Sequence, residues 1–245
     1  MSKYKEIYHQ SIKNKEDFWQ KISNDIFWYS KPTKILNTDN PPFYKWFQDG
    51  ITNTCYNALD IHIENALGEK IALIWDSPIT NSKATYTFNQ LREKVALFAG
   101  ALKNQGATKG DRIIIYMPMI PEAVIAMLAC ARIGAVHSVV FGGFASNELA
   151  SRIDDSKAKI VISASCGYEP GRTVEYKPLL NKAIEIATHK PKKCIIKQRE
   201  NFRAELDPAI DISWEDSLKD VEPAECEKMK GSDYAYILYT SGTTG

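Results

Sequence analysis

The sequence predicts an α/β protein built from parallel-sheet βαβ units, preceded by an irregular, aromatic-rich extension. Three observations carry that prediction. From Ile71 onward, short apolar runs alternate with stretches of helical periodicity. One complete strand–helix–strand unit is legible between Arg112 and Val140. Before about Gly68 neither period lasts, yet Phe18, Trp19, Phe27, Trp28, Tyr29, Phe43, Tyr44, Trp46 and Phe47 are too many aromatics for a disordered arm. We therefore expect residues 1–68 to wrap a core formed by residues 69–245.

The elements follow in order. Residues 4–10 and 15–26 read as short helices. Thr87-Phe88-Asn89-Gln90 fits a capping box, and Phe88, Leu91, Val95, Phe98 and Leu102 then recur at helical spacing until Gly106. Residues 112–117 read as a buried strand, 121–133 as a helix with Pro121 in its first turn and Gly134 at its end, and 136–140 as the next strand. A helix near 147–154, a strand at 159–163, a helix near 176–188 and a strand at 194–197 continue the alternation. Residues 198–232 are charged and proline-punctuated, with only Ile210-Asp211-Ile212-Ser213-Trp214 alternating, so a surface excursion is expected there. Residues 234–239, Tyr-Ala-Tyr-Ile-Leu-Tyr, read as a last buried strand.

Composition narrows the function. A chain of this length can bury about 70–75% of its unfolded surface, enough for a sizeable core. Lys+Arg 31 against Asp+Glu 30 leaves a formal net charge of +1, so no global field draws nucleic acid or an anionic membrane. Any anion site must be local. The N-terminus carries Lys3, Lys5 and Glu6 where a signal peptide needs an apolar core, and the apolar stretch 113–140 is interrupted by Pro118, Pro121, Glu122, Arg132 and His137. A soluble, cytoplasmic protein is expected. Cys55, Cys130, Cys166, Cys194 and Cys226 form an odd set without a Cys-x-x-Cys pair, which reads as reduced thiols, and His9, His62, His137 and His189 lack ligand spacing. No metal site is expected.

In open α/β sheets, ligands bind beyond the carboxyl ends of the strands. Three loops are expected on that rim. They are Phe141-Gly142-Gly143-Phe144, Cys166-Gly167-Tyr168-Glu169-Pro170-Gly171-Arg172, and Thr240-Ser241-Gly242-Thr243-Thr244-Gly245. Each has a plain reading: a strand-to-helix turn, a tight turn with a solvated arginine, a polar tail. Their convergence on one rim is what argues for a site. Glycines let N–H groups turn inward and the hydroxyls add donors, so the last loop suits a polyphosphate. It lacks the lysine of Gly-x-x-x-x-Gly-Lys-Ser/Thr, so a Walker-type NTPase is not supported.

Tyr236-Ile237-Leu238-Tyr239 followed by Thr240 to Gly245 resembles the signature of the adenylate-forming superfamily: acyl-CoA synthetases, peptide-synthetase adenylation domains and luciferases. Ala131-Arg132-Ile133-Gly134-Ala135-Val136-His137-Ser138-Val139-Val140-Phe141-Gly142-Gly143-Phe144 resembles its short-chain acyl-CoA synthetase branch. Phe18-Trp19 and Asn57-Ala58-Leu59-Asp60 are similar to that branch's N-terminal extension. The resemblance runs from about Tyr4 to Gly245 and covers the front part of a family enzyme. It implies an adenylate-forming large domain, with residues 240–245 on the β- and γ-phosphates of ATP. It also implies Gly142 and, more closely, Gly143 against coenzyme A, and the Glu169-Pro170-Gly171-Arg172 turn holding the CoA 3′-phosphate end through Arg172. A guanidinium suits that role by bidentate, charge-assisted bonding. Glu169 departs from the acetyl-type pattern, which has a second arginine there, and resembles propionate-type members.

The implied reaction joins a small carboxylate, propionate or acetate, to ATP with Mg2+ to give acyl-AMP and pyrophosphate; the CoA thiol then displaces AMP. Alignment and charge compensation would carry the catalysis. No catalytic residue is assigned within the chain. The adenylation lysine is expected after Gly245, in a C-terminal domain that partners this one, so residues 1–245 alone are expected to be inactive. The alternative is a complete non-catalytic CoA- or nucleotide-binding module.

Overall fold

The computed structural model describes residues 2–200 and 202–240. The extension opens with helices α1 (Lys3–Lys13) and α2 (Lys15–Ser23), which between them bury only Ser23. Short strands β1 (Leu36–Asn37) and β2 (Lys45–Trp46) pair antiparallel, and β3 (Ile51–Thr52) leads through one π-helical stretch, Tyr56–Asp60, into α3 (Ile61–Glu64). Strands β4 (Ile71–Ser77) and β5 (Ser82–Thr87) form a hairpin. The α/β body continues as α4 (Phe88–Asn104), β6 (Arg112–Met117), α5 (Pro121–Arg132), β7 (Val136–Phe141), α6 (Ser146–Ser156) and β8 (Ile160–Ala164). A second hairpin, β9 (Cys166–Glu169) with β10 (Arg172–Glu175), precedes α7 (Tyr176–Ile186), β11 (Lys193–Lys197), β12 (Asp211–Ser213), α8 (Trp214–Ser217) and β13 (Met229–Lys230).

Five strands make one parallel sheet in the order β12-β11-β8-β6-β7. Helices cover both faces, which is why these strands read as near-continuous apolar runs. Ile113, Ile115, Ile162 and Ile195 pack under α4 and α5, while Ile114, Val161 and Ile196 pack under α6 and α7. Burying each such side chain contributes about 1.5–3 kcal/mol. The predicted capping box is present at α4, where the Thr87 hydroxyl accepts from the Gln90 N–H and the Gln90 side chain accepts from the Thr87 N–H.

Two expectations are corrected. Residues 198–232 are not simply a surface excursion: β12 joins the sheet beside β11, and Trp214 is buried, stacked on Phe98 with ring centroids 3.7 Å apart. The Ala224 N–H then donates to Ala96 O on α4 at 2.9 Å. Charged and proline residues on the outer side of this stretch conceal the few apolar anchors that pin it. The run 234–239 is not a buried strand either. It meets β7 through one parallel bridge, His137 to Tyr236, and Tyr234, Tyr236 and Leu238 stay exposed, because no element covers its outer side among the described residues.

The extension wraps the body through its second half. Phe27, Tyr29 and Tyr56 cluster, the closest ring centroids 4.5 Å apart, whereas Phe43 and Tyr44 are exposed. Asn53 is fully buried and its side-chain amide donates to the carbonyls of Ala131, Arg132 and Glu227. Strand β3 pairs antiparallel with β13. Among the described residues, no helix is long and apolar enough to cross a membrane.

Candidate functional site

Parallel pairing sends β6, β7, β8, β11 and β12 to one carboxyl rim, and two of the three predicted loops meet there. Their meeting point is Tyr176, the first residue of α7. A Cβ at Gly142 would collide with the Tyr176 hydroxyl, and one at Gly167 would lie 2.6 Å from it, so both glycines are needed for close approach to the same phenol. Tyr116 stacks on Tyr176 at 5.0 Å and donates its hydroxyl to Phe144 O at 3.0 Å, fixing the far end of the Gly142-Gly143 loop. Burial pushes the Tyr116 phenol up to about 12 and raises Tyr176 as well, so both remain protonated donors at neutral pH. Gly142 is buried, whereas Gly143 is exposed beside Phe141.

The second loop is a tight hairpin in which Arg172 stands opposite Glu169. Pro170-Gly171 makes the turn, with Gly171 at φ +78°, a conformation that favours glycine. The Arg172 guanidinium forks onto one Glu169 oxygen, Nε at 2.7 Å and Nη2 at 2.6 Å. Both side chains remain substantially exposed. The guanidinium is therefore held in place by a partner that solvent and a stronger anion can displace.

Beside this hairpin opens a cleft of about 1270 Å³. The β4–β5 hairpin forms one wall through Trp75, Ser82 and Tyr86, and Tyr168, Glu169, Gly171 and Arg172 form another. Its floor comes from the carboxyl ends of β11 and β12. Lys197 lies there between Glu215 at 2.6 Å and Glu122 at 3.2 Å; burial lowers its pKa, but the two carboxylates outweigh it and hold the ammonium charged. Arg199 lies over the Tyr168 ring at 4.1 Å, and Arg203 also lines the space. The arrangement is a mixed-charge cleft in which Arg172, Arg199, Arg203 and Lys197 stand among the carboxylates of Glu122, Glu169, Glu200, Glu215 and Asp216, so an anion would have to be held locally by the guanidinium groups. Gly142 and Gly143 do not line it.

Of the third loop, only the approach and Thr240 are described. After the bridge at Tyr236, Tyr239 leans on α6, its hydroxyl donating to Asp155 and its ring 4.0 Å beneath the Arg152 guanidinium. Thr240 is the last described residue, and the predicted contacts Ser241, Gly242, Thr243, Thr244 and Gly245 lie outside the described residues. Sequence reasoning missed Tyr176, Arg199 and Arg203. The only signal for the first was its position as the residue opening a helix directly after a candidate loop.

Sequence spacing gave no ligand cluster, yet folding gathers Cys55, Asp60 and Cys226 within 4.8 Å of one another. That cluster lies between the extension and the body, away from the carboxyl rim.

Comparison with known proteins agrees with this architecture. The AMP-binding enzyme family profile matches residues 62–245, and the profile for the acetyl-coenzyme A synthetase N-terminus matches residues 4–58. Acyl-CoA synthetase short-chain family member 3, mitochondrial, of Homo sapiens is 50% identical over 245 residues, covering 100% of this chain and 36% of that protein. Acetyl-coenzyme A synthetase of Shewanella halifaxensis is 43% identical over 251 residues, covering 99% of this chain and 38% of that protein. The solved acetoacetyl-CoA synthetase of Streptomyces lividans superposes with a TM-score of 0.88 at 22% identity, over 100% of this chain and 37% of that one, a likeness of fold. The chain thus spans about a third of the length of the relatives it matches. With its profile covering residues 62–245, three quarters of the sequence, the chain belongs to the AMP-binding enzyme family.

Proposed function

We propose that this chain is the front part of an AMP-forming short-chain acyl-CoA ligase, and that the cleft beside Arg172 receives the phosphorylated end of coenzyme A. One observation carries the reading. Arg172 stands at the cleft mouth with its guanidinium already ordered, at 2.6–2.7 Å, by the carboxylate of Glu169. A phosphate offers more oxygens and more charge than that carboxylate and is the stronger partner for the same fork. In this proposal Glu169 holds the arginine until the phosphate arrives, and Arg199 and Arg203 supply further positive charge along the cleft.

The Gly142-Gly143 loop, braced by Tyr116 and Tyr176, is proposed to lie along the CoA arm, with exposed Gly143 at the closer approach. Residues 240–245 are proposed to handle the ATP phosphates with Mg2+ as counter-ion. Propionate is the favoured acid and acetate the next, on the resemblance of the Glu169-Pro170-Gly171-Arg172 turn to propionate-type enzymes. The remaining two thirds of the length seen in the relatives is proposed to supply the adenylation lysine, so residues 1–245 alone form no acyl-CoA. A cytoplasmic setting belongs to the same proposal.

The test is Arg172→Ala in the full-length protein. The apparent KM for CoA should rise while ATP–pyrophosphate exchange with propionate stays near its original rate. An equal loss in both half-reactions overturns the assignment.

A further inference from the structure

Beyond ligase chemistry, we infer that Cys55 and Cys226 form a redox-active dithiol that a peroxide converts to a disulfide joining the extension to the body. A short strand pair carries the two segments toward one another. Strands β3 and β13 run antiparallel with Thr52 opposite Met229; three residues further along one chain is Cys55, and three residues back along the other is Cys226. The ladder is two pairs long and the chain turns helical at Thr54, so the two cysteines meet beyond its end, where the fold brings the segments together. Their sulfurs and the Asp60 carboxylate all lie within 4.8 Å of one another.

The surroundings suit thiol chemistry and not a metal. Both Asp60 oxygens are occupied by Arg132, Nη1 on Oδ2 at 2.8 Å and Nη2 on Oδ1 at 3.1 Å, and Arg132 Nη1 also lies 3.7 Å from Cys55 Sγ. A fixed positive charge at the centre repels a cation and stabilises a thiolate. The hydrogen bond from the Cys226 thiol, and then the Arg132 guanidinium, hold Cys55 below the ordinary thiol range against the effect of burial. The contact with Cys55 and burial raise Cys226, whose thiol donates to Asp60 Oδ2 at 3.8 Å. Cys55 is fully buried but Cys226 is only half-buried, which leaves a small oxidant a route in from the Cys226 side. At Cys130 and Cys194, unlike Cys55, burial prevails and raises the thiol.

The chemistry balances with hydrogen peroxide as the oxidant. The Cys55 thiolate attacks one peroxide oxygen, the O–O bond breaks, and hydroxide leaves a sulfenic acid on Cys55. Cys226 gives its proton to that hydroxide, forming water, and its sulfur attacks the Cys55 sulfur. The S–O bond then breaks and a second hydroxide departs. Counting the proton Cys55 lost beforehand, two thiols and one peroxide give one disulfide and two waters. A dithiol reductant reverses the bond by exchange.

The experiment treats the full-length protein with hydrogen peroxide, alkylates free thiols, digests without reduction and identifies linked peptides by mass spectrometry. The expected result is a Cys55–Cys226 peptide, with those two positions lost from alkylation and restored by dithiothreitol. In Cys226→Ser the sulfenic acid on Cys55 should persist long enough to be trapped by dimedone. The inference is overturned if the oxidised wild-type protein keeps both cysteines alkylatable, if its linked peptides join other cysteines, or if the untreated protein carries one equivalent of zinc that shields both thiols. The wild-type readout decides the matter even where a substituted protein fails to fold.

Discussion

The Arg132 guanidinium lies in a two-pronged fork on the Asp60 carboxylate, at 2.8 and 3.1 Å, and Arg132 is fully buried. Its Nε also donates to Ala224 O at 2.6 Å, so one side chain on α5 ties the extension and the segment before β13 to the body. Removing one member of such a pair leaves an uncompensated charge away from water. Asp60→Ala is expected to destabilise by about 3–5 kcal/mol. Denaturant unfolding of the full-length protein measures it, and a loss under 1 kcal/mol would show the charge finds water instead.

The contact between Gly142 and Tyr176 makes a second expectation. Gly142→Ala forces a methyl against the phenol and should cost about 1–3 kcal/mol by overpacking. Combined with Tyr176→Ala, the two losses should not add, because the obstacle to the methyl is then gone. Additive losses in a double-mutant cycle would mean the loop is shaped by something other than this tyrosine.

Asp111 carries a pH dependence. Burial pushes its carboxyl up, but Lys159 Nζ at 2.6 Å and the Thr108 N–H and hydroxyl, each at 2.8 Å, outweigh that and hold it below the usual carboxylate range. A depressed folded-state pKa adds stability above the unfolded value of about 3.9 and loses it as pH falls through the folded value. The stability gap between wild type and Asp111→Asn should therefore be level from pH 5 to 8, by this linkage, and close below about pH 4. A gap that persists at the acid end would remove the ion pair as its source.

Glu169 competes for Arg172 in the proposed CoA site. Glu169→Gln should free the guanidinium and lower the apparent KM for CoA by about 1.4- to 5-fold, the range carried by an exposed ion pair of 0.2–1 kcal/mol. A higher KM would assign Glu169 a direct contact with the ligand.

The parallel sheet and α4 were legible because their packing is periodic: one helix stripe, one capping box, and isoleucine runs buried on both faces. The end of α5 was read at Ile133 and falls at Arg132. The alternation at 210–214 was legible, but its place in the sheet was not, because the strand is held at the edge by few anchors, chiefly Trp214 on Phe98 and the buried Lys177–Asp211 pair at 2.8 Å, neither of which has a local pattern. Of the site, the turn at Glu169-Pro170-Gly171-Arg172 and the glycine pair were legible as unusual loops, but their common contact was not, because Tyr176 looks like any helix-opening tyrosine. Cys55, Asp60, Arg132 and Cys226 meet only through folding, so spacing alone could not have paired them.

The three carbonyls grasped by Asn53 set an order of events during synthesis. Two of them, on Ala131 and Arg132, emerge from the ribosome well before the third, on Glu227, which follows Asn53 by 174 residues. At translation rates of 5–20 residues per second that interval is roughly 9–35 s. Until Glu227 is made, the buried Asn53 amide can reach no more than two of its three carbonyls, so the clasp between extension and body closes late in the synthesis of these residues.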